Sequence, residues 1–231
     1  MYKRQIGWGS LVLVVVHGVT WDLARWEDGR FLADPRDMVA VGAGEASLFR
    51  VSLLADMAGS YLLLIPLAVL WWRRLGDRGG WLVDTATVAG LVFAAAGAVA
   101  AAVVAVAGEG LIREYAAAPP AAGGARAAAS SSFATLMDGG LAVWQVAGLL
   151  AGALWWLVVG WLAQADHRWF GRFSVAFGAA SAFVVVGRAV GVDYEMALPM
   201  TPAFAVVGVW AAWAGSVVDT WSPRFGCTSG G

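Results

Sequence analysis

Residues 51–72, VSLLADMAGSYLLLIPLAVLWW, constrain this chain more than any other stretch. These 22 residues hold one charge, Asp56, and are followed by the pair Arg73 and Arg74. A helix rising about 1.5 Å per residue would reach roughly 33 Å, enough to cross a hydrocarbon layer of about 30 Å. A helix that is apolar on all sides has no solvent face for a water-soluble domain, whereas lipid accepts it.

Composition extends the argument to the whole chain. It is 60% hydrophobic and 13% charged with mean hydropathy +0.71, against about a quarter charged in ordinary soluble domains. The formal net charge of −1 lacks the basic surplus that phosphate binding requires, so no nucleic-acid partner is expected. A single cysteine, Cys227, excludes an internal disulfide and a cysteine metal cage. The two histidines, His17 and His167, fall at different depths, which argues against a bis-histidine haem. No metal or other cofactor is expected. The chain carries no GxSxG elbow, no HExxH and no phosphate-binding loop, so no catalytic residue is nominated and the reading leans away from an enzyme.

Six apolar runs predict an all-α, polytopic bundle of six transmembrane helices, at residues 6–20, 51–72, 81–107, 137–163, 173–190 and 198–218. Residues 1–5, MYKRQ, hold the only lysine among fifteen basic residues. They resemble the translated end sequence of a transposase used in preparing sequencing libraries, and are set apart from the fold as a sequencing-derived scar. Residues 21–50 contain six acids and four arginines among breakers such as Pro35 and Gly42, predicting an extramembrane loop with room for one amphipathic turn. Pro66 predicts a kink in the second helix. Residues 73–80 and 166–172 read as short basic turns. Residues 109–132, rich in Ala, Gly, Pro and Ser, read as a flexible connector, and residues 219–231 as a polar tail.

Arginines set the expected orientation. Arg73, Arg74, Arg78, Arg168 and Arg172 follow helices two and four, while the turn after helix five has Asp193 and Glu195. Short basic loops stay in the cytoplasm, which places both termini inside. Trp71, Trp72, Trp81, Trp161 and Trp169 then fall at the inner interface, where an aromatic belt belongs.

In this frame the polar residues of the spans gather in the outer half. His17, Asp56, Asp138, Gln145 and Arg188 come from four helices, and Ser52, Asp56 and Ser60 repeat at i, i+4 on one helix face. A charge at the bilayer centre costs about 2.5 to 3.5 kcal/mol, so such groups turn inward and pair. The expectation is a polar pocket centred on an Asp–Arg pair, binding or passing a small ligand, lipid or proton. The same groups also suit structural roles near the interface, where snorkelling lowers their cost. Asp84 reads as an interfacial residue or a partner of Arg78. Gly148 and Gly152 form a GxxxG pattern, assigned to helix packing.

Three segments carry a resemblance: LFRVSLLADMAGSYLLLIPLAV at 48–69, FATLMDGGLAVWQ at 133–145, and LWWLVVGWLAQADHRWFGRFSVAFGAASA at 154–182. Together they resemble an uncharacterised family of bacterial six-helix membrane proteins, a domain of unknown function. The resemblance implies six helices and a bacterial cytoplasmic-membrane location, and supplies no catalytic residues. Besides the lipid bilayer, the expected partners are another membrane protein or a second copy of the chain. The alternative to a ligand-handling bundle is a non-catalytic accessory subunit docking through small-residue faces.

Overall fold

The computed structural model describes residues 2–24, 26–27, 30–31, 34–191 and 201–220. These are helical apart from a two-residue antiparallel pairing of β1 (Trp26–Glu27) with β2 (Arg30–Phe31) and short turns. Five helical stretches are long and apolar enough to cross a membrane: Lys3–Ala24, Ala46–Gly79, Trp81–Ala117, Gly123–Ala163 and Arg168–Ala189. The sixth expected span corresponds to a helix at Thr201–Thr220, whose described apolar part, Ala205–Val218, is shorter. The described residues therefore contain five qualifying helices rather than six.

In chain order, α1 (Tyr2–Ala24) leads through β1 and β2 to a 3-10 turn (Pro35–Ala40). Helices α2 (Ala46–Asp56) and α3 (Leu64–Gly79) are joined by a π-turn (Met57–Leu62). After α4 (Trp81–Ala117), α5 (Gly123–Ala142) runs through a second π-turn (Val143–Gly148) into α6 (Leu149–Ala163). Helices α7 (Arg168–Ala189) and α8 (Thr201–Thr220) complete the series. Helix α1 packs along α8 and α6 along α7, while α4 sits centrally against α2, α3, α5, α6 and both π-turns.

The two outer pairs close through bare backbone. A Cβ on Gly160 of α6 would lie 2.7 Å from the Val175 nitrogen and 2.8 Å from the Gly171 carbonyl, and one on Gly178 would lie 2.9 Å from the Ala153 carbonyl. On the α1/α8 side, a Cβ on Gly215 would lie 2.6 Å from the Lys3 carbonyl, and Gly7 abuts the Ala211 carbonyl. Such close approach is how small residues drive helix association where lipid removes the hydrophobic incentive. The GxxxG pair works differently. Gly148 and Gly152 both face the Phe93 ring of α4, at 3.9 and 3.0 Å from a built Cβ, so they make room for an aromatic side chain.

Two apolar clusters divide the interior. One centres on Trp71, Trp155, Trp156, Trp210 and Phe170, with Trp71 stacked on Phe170 at 5.2 Å and 3°. The other gathers Trp21, Met38, Phe49, Ile112 and Phe133 beneath the 3-10 turn.

Several boundaries differ from expectation. The connector at 109–132 is helical except around residues 118–122, because alanine is the strongest helix former and Ile112 and Phe133 bury fully in the second cluster. With 37 residues, α4 is about 55 Å long, so it outruns the hydrocarbon by roughly 25 Å. The basic turns are also shorter than expected. Arg73, Arg74 and Arg78 continue α3 up to Gly80, where φ is +47°, and Arg168 and Arg172 already belong to α7. Tyr2–Gln5 continue the helix of α1, and the Lys3 carbonyl lies against Gly215 of α8. Trp71 is buried, leaving Trp72, Trp81, Trp161 and Trp169 exposed at that end of the bundle. Asp193, Glu195, residues 198–200 and the tail from 221 lie outside the described residues.

Because both sides of the α6/α7 contact are backbone, no rotamer change can accommodate a side chain there. Gly160→Leu is expected to destabilise the bundle by about 1 to 3 kcal/mol or more. Gly110→Ala, with nothing within 4 Å, should be neutral or stabilising by up to about 1 kcal/mol. Reversible unfolding in mixed micelles, followed by circular dichroism, measures both.

Candidate functional site

Asp56 is the last residue of α2 and stands where the regular hydrogen-bond ladder gives way to a π-turn. Such widened turns are rare and often mark functional sites. Here Pro66 supplies a local reason: it has no N–H for the Leu62 carbonyl, so the ladder cannot run regularly through this point. The Leu63 N–H instead reaches the Ala58 carbonyl at 3.1 Å. The Gly59 carbonyl accepts from the Ser10 hydroxyl of α1 at 2.6 Å. That contact needs glycine, since a Cβ at 59 would lie 2.7 Å from the Leu13 Cβ and 2.9 Å from the Val14 nitrogen.

One turn along α1, His17 crosses to α2. Its Nδ1 lies 2.8 Å from the Ser52 carbonyl and 3.0 Å from the Ser52 hydroxyl, which in turn donates to the His17 carbonyl at 3.2 Å. A carbonyl oxygen only accepts, so Nδ1 carries the proton and donates. In the neutral ring Nε2 is therefore the basic nitrogen. His17, Ser52, Asp56, Ser60 and Tyr61 are all at most 5% exposed. The polar groups acting on Asp56 are His17, Ser60 and Tyr61. Tyr61 projects from the π-turn against Gly97, whose missing Cβ leaves the space its ring fills, and it packs 5.4 Å from Phe93.

Of these, His17, Asp56 and Tyr61 border a cavity of about 80 Å³, enough for several waters or the polar end of a small molecule. His17, Trp21, Leu53, Asp56 and Tyr61 form one wall, α4 and α5 the other, with Trp144 of the second π-turn at its margin. The cavity lies at the seam of the two apolar clusters, touching Tyr61 and Ala101 of one and Trp21, Leu53 and Met137 of the other. Oδ1 of Asp56 and Oγ of Ser60 make no hydrogen bond within the described residues, and neither does the side-chain amide of Gln145.

Of the five nominated residues, His17 and Asp56 come together at the cavity. Gln145 is buried in the second π-turn but does not line it. Asp138 is a correction: its side chain is 52% exposed and it accepts from Arg36 Nε at 3.0 Å, with Asp34 on the same guanidinium at 3.2 Å. The Asp138 hydrogen bond chiefly raises the Arg36 pKa above its ordinary value. Arg188 sits in the last turn of α7, a helix that packs on α6, α8 and the second π-turn, and does not line the cavity. At the cavity Asp56 stands with His17 and Tyr61. Asp84 accepts from the Trp72 indole at 2.7 Å, while Arg78 pairs with Asp166.

Sequence reasoning missed Ser10, Trp21, Tyr61 and Trp144. Tyr61 lies five residues after Asp56, off the face that a regular helix would present; only the break signalled by Pro66 hinted otherwise. No cluster of three or more potential metal ligands occurs among the described residues.

No protein family, curated protein or solved structure matches the chain.

A fully buried amide without partners is costly, and an apolar group of similar shape relieves that cost. Gln145→Met is expected to raise stability by about 1 kcal/mol or more, whereas Asp138→Asn, at an exposed pair, should change it by less than about 1 kcal/mol. Thermal unfolding in detergent distinguishes them. A loss on Gln145→Met would show that the amide is satisfied in the membrane.

Proposed function

We propose that this chain is a bacterial inner-membrane protein that crosses the bilayer six times, with both termini in the cytoplasm, and binds a small polar ligand group in the outer half of the bundle. The observation that carries the reading is Asp56: 95% buried by its 5% exposure, one carboxylate oxygen unpaired, and facing a cavity beside His17 and Tyr61. A carboxylate at this depth is expensive, and a purely structural one would be expected to have both oxygens bonded. The imidazole offers a base and the phenol a donor, so the three groups suit a ligand that exchanges hydrogen bonds or a proton with them.

Exposed Trp72, Trp81, Trp161 and Trp169 share an end with Arg73, Arg74, Arg78, Arg168 and Arg172; the tryptophans suit a membrane interface, and the arginines support it as the cytoplasmic one. A sixth crossing by α8 agrees with the implied six-helix family and with the close α1/α8 packing. Against the accessory-subunit alternative, Gly148 and Gly152 direct their small-residue face to Phe93 within the bundle. A C-terminal reporter active only in the cytoplasm should give signal; signal from one active only outside would reverse the orientation.

The site itself is tested with dicyclohexylcarbodiimide, which reaches carboxyls through an apolar medium and captures them in the protonated form that a carboxylate exchanges into. Asp56 should acquire the reagent mass in the folded protein, and Asp56→Asn should lose that adduct. Absence of reaction at Asp56 would remove the basis for a ligand cavity.

A further inference from the structure

The Asp56 cavity is closed at both ends and open at one side. Toward the arginine-bearing end stand Phe93, Trp155 and Trp156, all at most 2% exposed. Toward the other end Met38 of the 3-10 turn packs with Phe49 and Phe133, each fully buried. Among the residues lining the cavity, only Ala100, Gly140, Leu141 and Trp144 keep exposure, and all belong to α4, α5 or the second π-turn. A second hollow, about 300 Å³, begins there between α4 and α5 and shares Ala100, Val104 and Gly140 with the first. Its outward lining includes Val99 and Val103, 62% and 52% exposed, and none of its lining residues is charged. The helices approach closely here because Gly140 lacks a Cβ, which would lie 2.6 Å from a Val104 methyl.

We infer that the α4/α5 groove is a lateral doorway from the lipid, and that its occupant is a single-chain amphiphile with a small, uncharged hydroxyl head. This rests on reading the Asp56 cavity as a ligand site. The chain lies along the apolar groove and the hydroxyl donates to Oδ1 of Asp56, satisfying an acceptor that the protein leaves open. A phosphate head is opposed by its charge against a carboxylate in a medium of low dielectric, and an ammonium would bring a second ion into that apolar setting. The cavity volume admits a hydroxyl head. Approach from the aqueous side would require displacing the packed Met38, Phe49 and Phe133 cluster, whereas approach from the bilayer passes only uncharged residues, Thr135 and Leu136 among the alanine, glycines and valines.

The full chain in phosphatidylcholine vesicles is photolabelled with a long-chain alcohol carrying a mid-chain diazirine, digested and mapped by mass spectrometry. Adducts are expected at residues 99–104 and 135–143, suppressed by excess dodecanol and not by dodecyl phosphate. Asp56→Leu should weaken dodecanol competition about tenfold, as loss of one charge-assisted hydrogen bond implies. Ala100→Phe should abolish both these adducts and the carbodiimide reaction at Asp56. Gly139→Phe, where nothing lies within 4 Å, should do the same should the first variant fail to fold. Labelling spread evenly around the bundle, labelling that dodecanol leaves unchanged, or equal competition by dodecyl phosphate would overturn the proposal. Carbodiimide reaction at Asp56 that persists in the blocked variants removes the doorway and leaves the ligand site standing. No reaction in the wild-type protein removes both.

Discussion

Hydrocarbon cannot hydrogen-bond, so every peptide group inside a bilayer must find its partner within the protein. Most of this chain meets that demand with unbroken helices. Among the described residues the two π-turns, Met57–Leu62 and Val143–Gly148, widen that ladder, and each packs one side on the central helix α4 while Leu62, Val143 and Val146 stay exposed. At the first, Ser10 reaches across from α1 to serve the Gly59 carbonyl. The widened turn shifts the residues after Asp56 around the helix axis and brings Tyr61 to the carboxylate's side. The site is thus a product of where the ladder is allowed to loosen.

What permits that loosening is the packing on either side. Trp155, Trp156, Trp210 and Phe170 interlock with ring separations of 5.1 to 6.1 Å, and the opposite end is capped by Met38, Phe49 and Phe133. Aromatic pairs at such distances contribute about 0.5 to 1.5 kcal/mol each beyond the area they bury. An aspartate held in lipid costs about 2.5 to 3.5 kcal/mol, so a few such pairs offset it. The polar layer stays thin because both neighbours are dense, and the glycine contacts of α1/α8 and α6/α7 hold the periphery to it.

Depth was legible in the sequence, while direction around each helix was not. The apolar windows located the lipid-crossing segments, and counting residues along them placed His17 and Asp56 at a common level. Counting cannot say which way Arg188 points, because α7 lies behind α6 and away from α2. Hydropathy windows also truncate helices, since they register only the portion that lipid requires. Residues 109–117 and 123–132 read as a connector by composition, yet their alanines favour helix, and Ile112, Ala129 and Phe133 bury against the 3-10 turn. Tyr61 was beyond reach because its position depends on a π-turn, and neither propensity nor periodicity encodes one strongly. At the second π-turn no proline marked the place at all.

The glycine and alanine that border the opening between α4 and α5 carry a mechanical consequence. At Ala100, Gly139 and Gly140 the threshold has no rotamer to swing, so at these positions its width follows the spacing of two helix backbones. Any widening there is a rigid-body event, transmitted along about 55 Å of α4 to the part that stands clear of the bilayer.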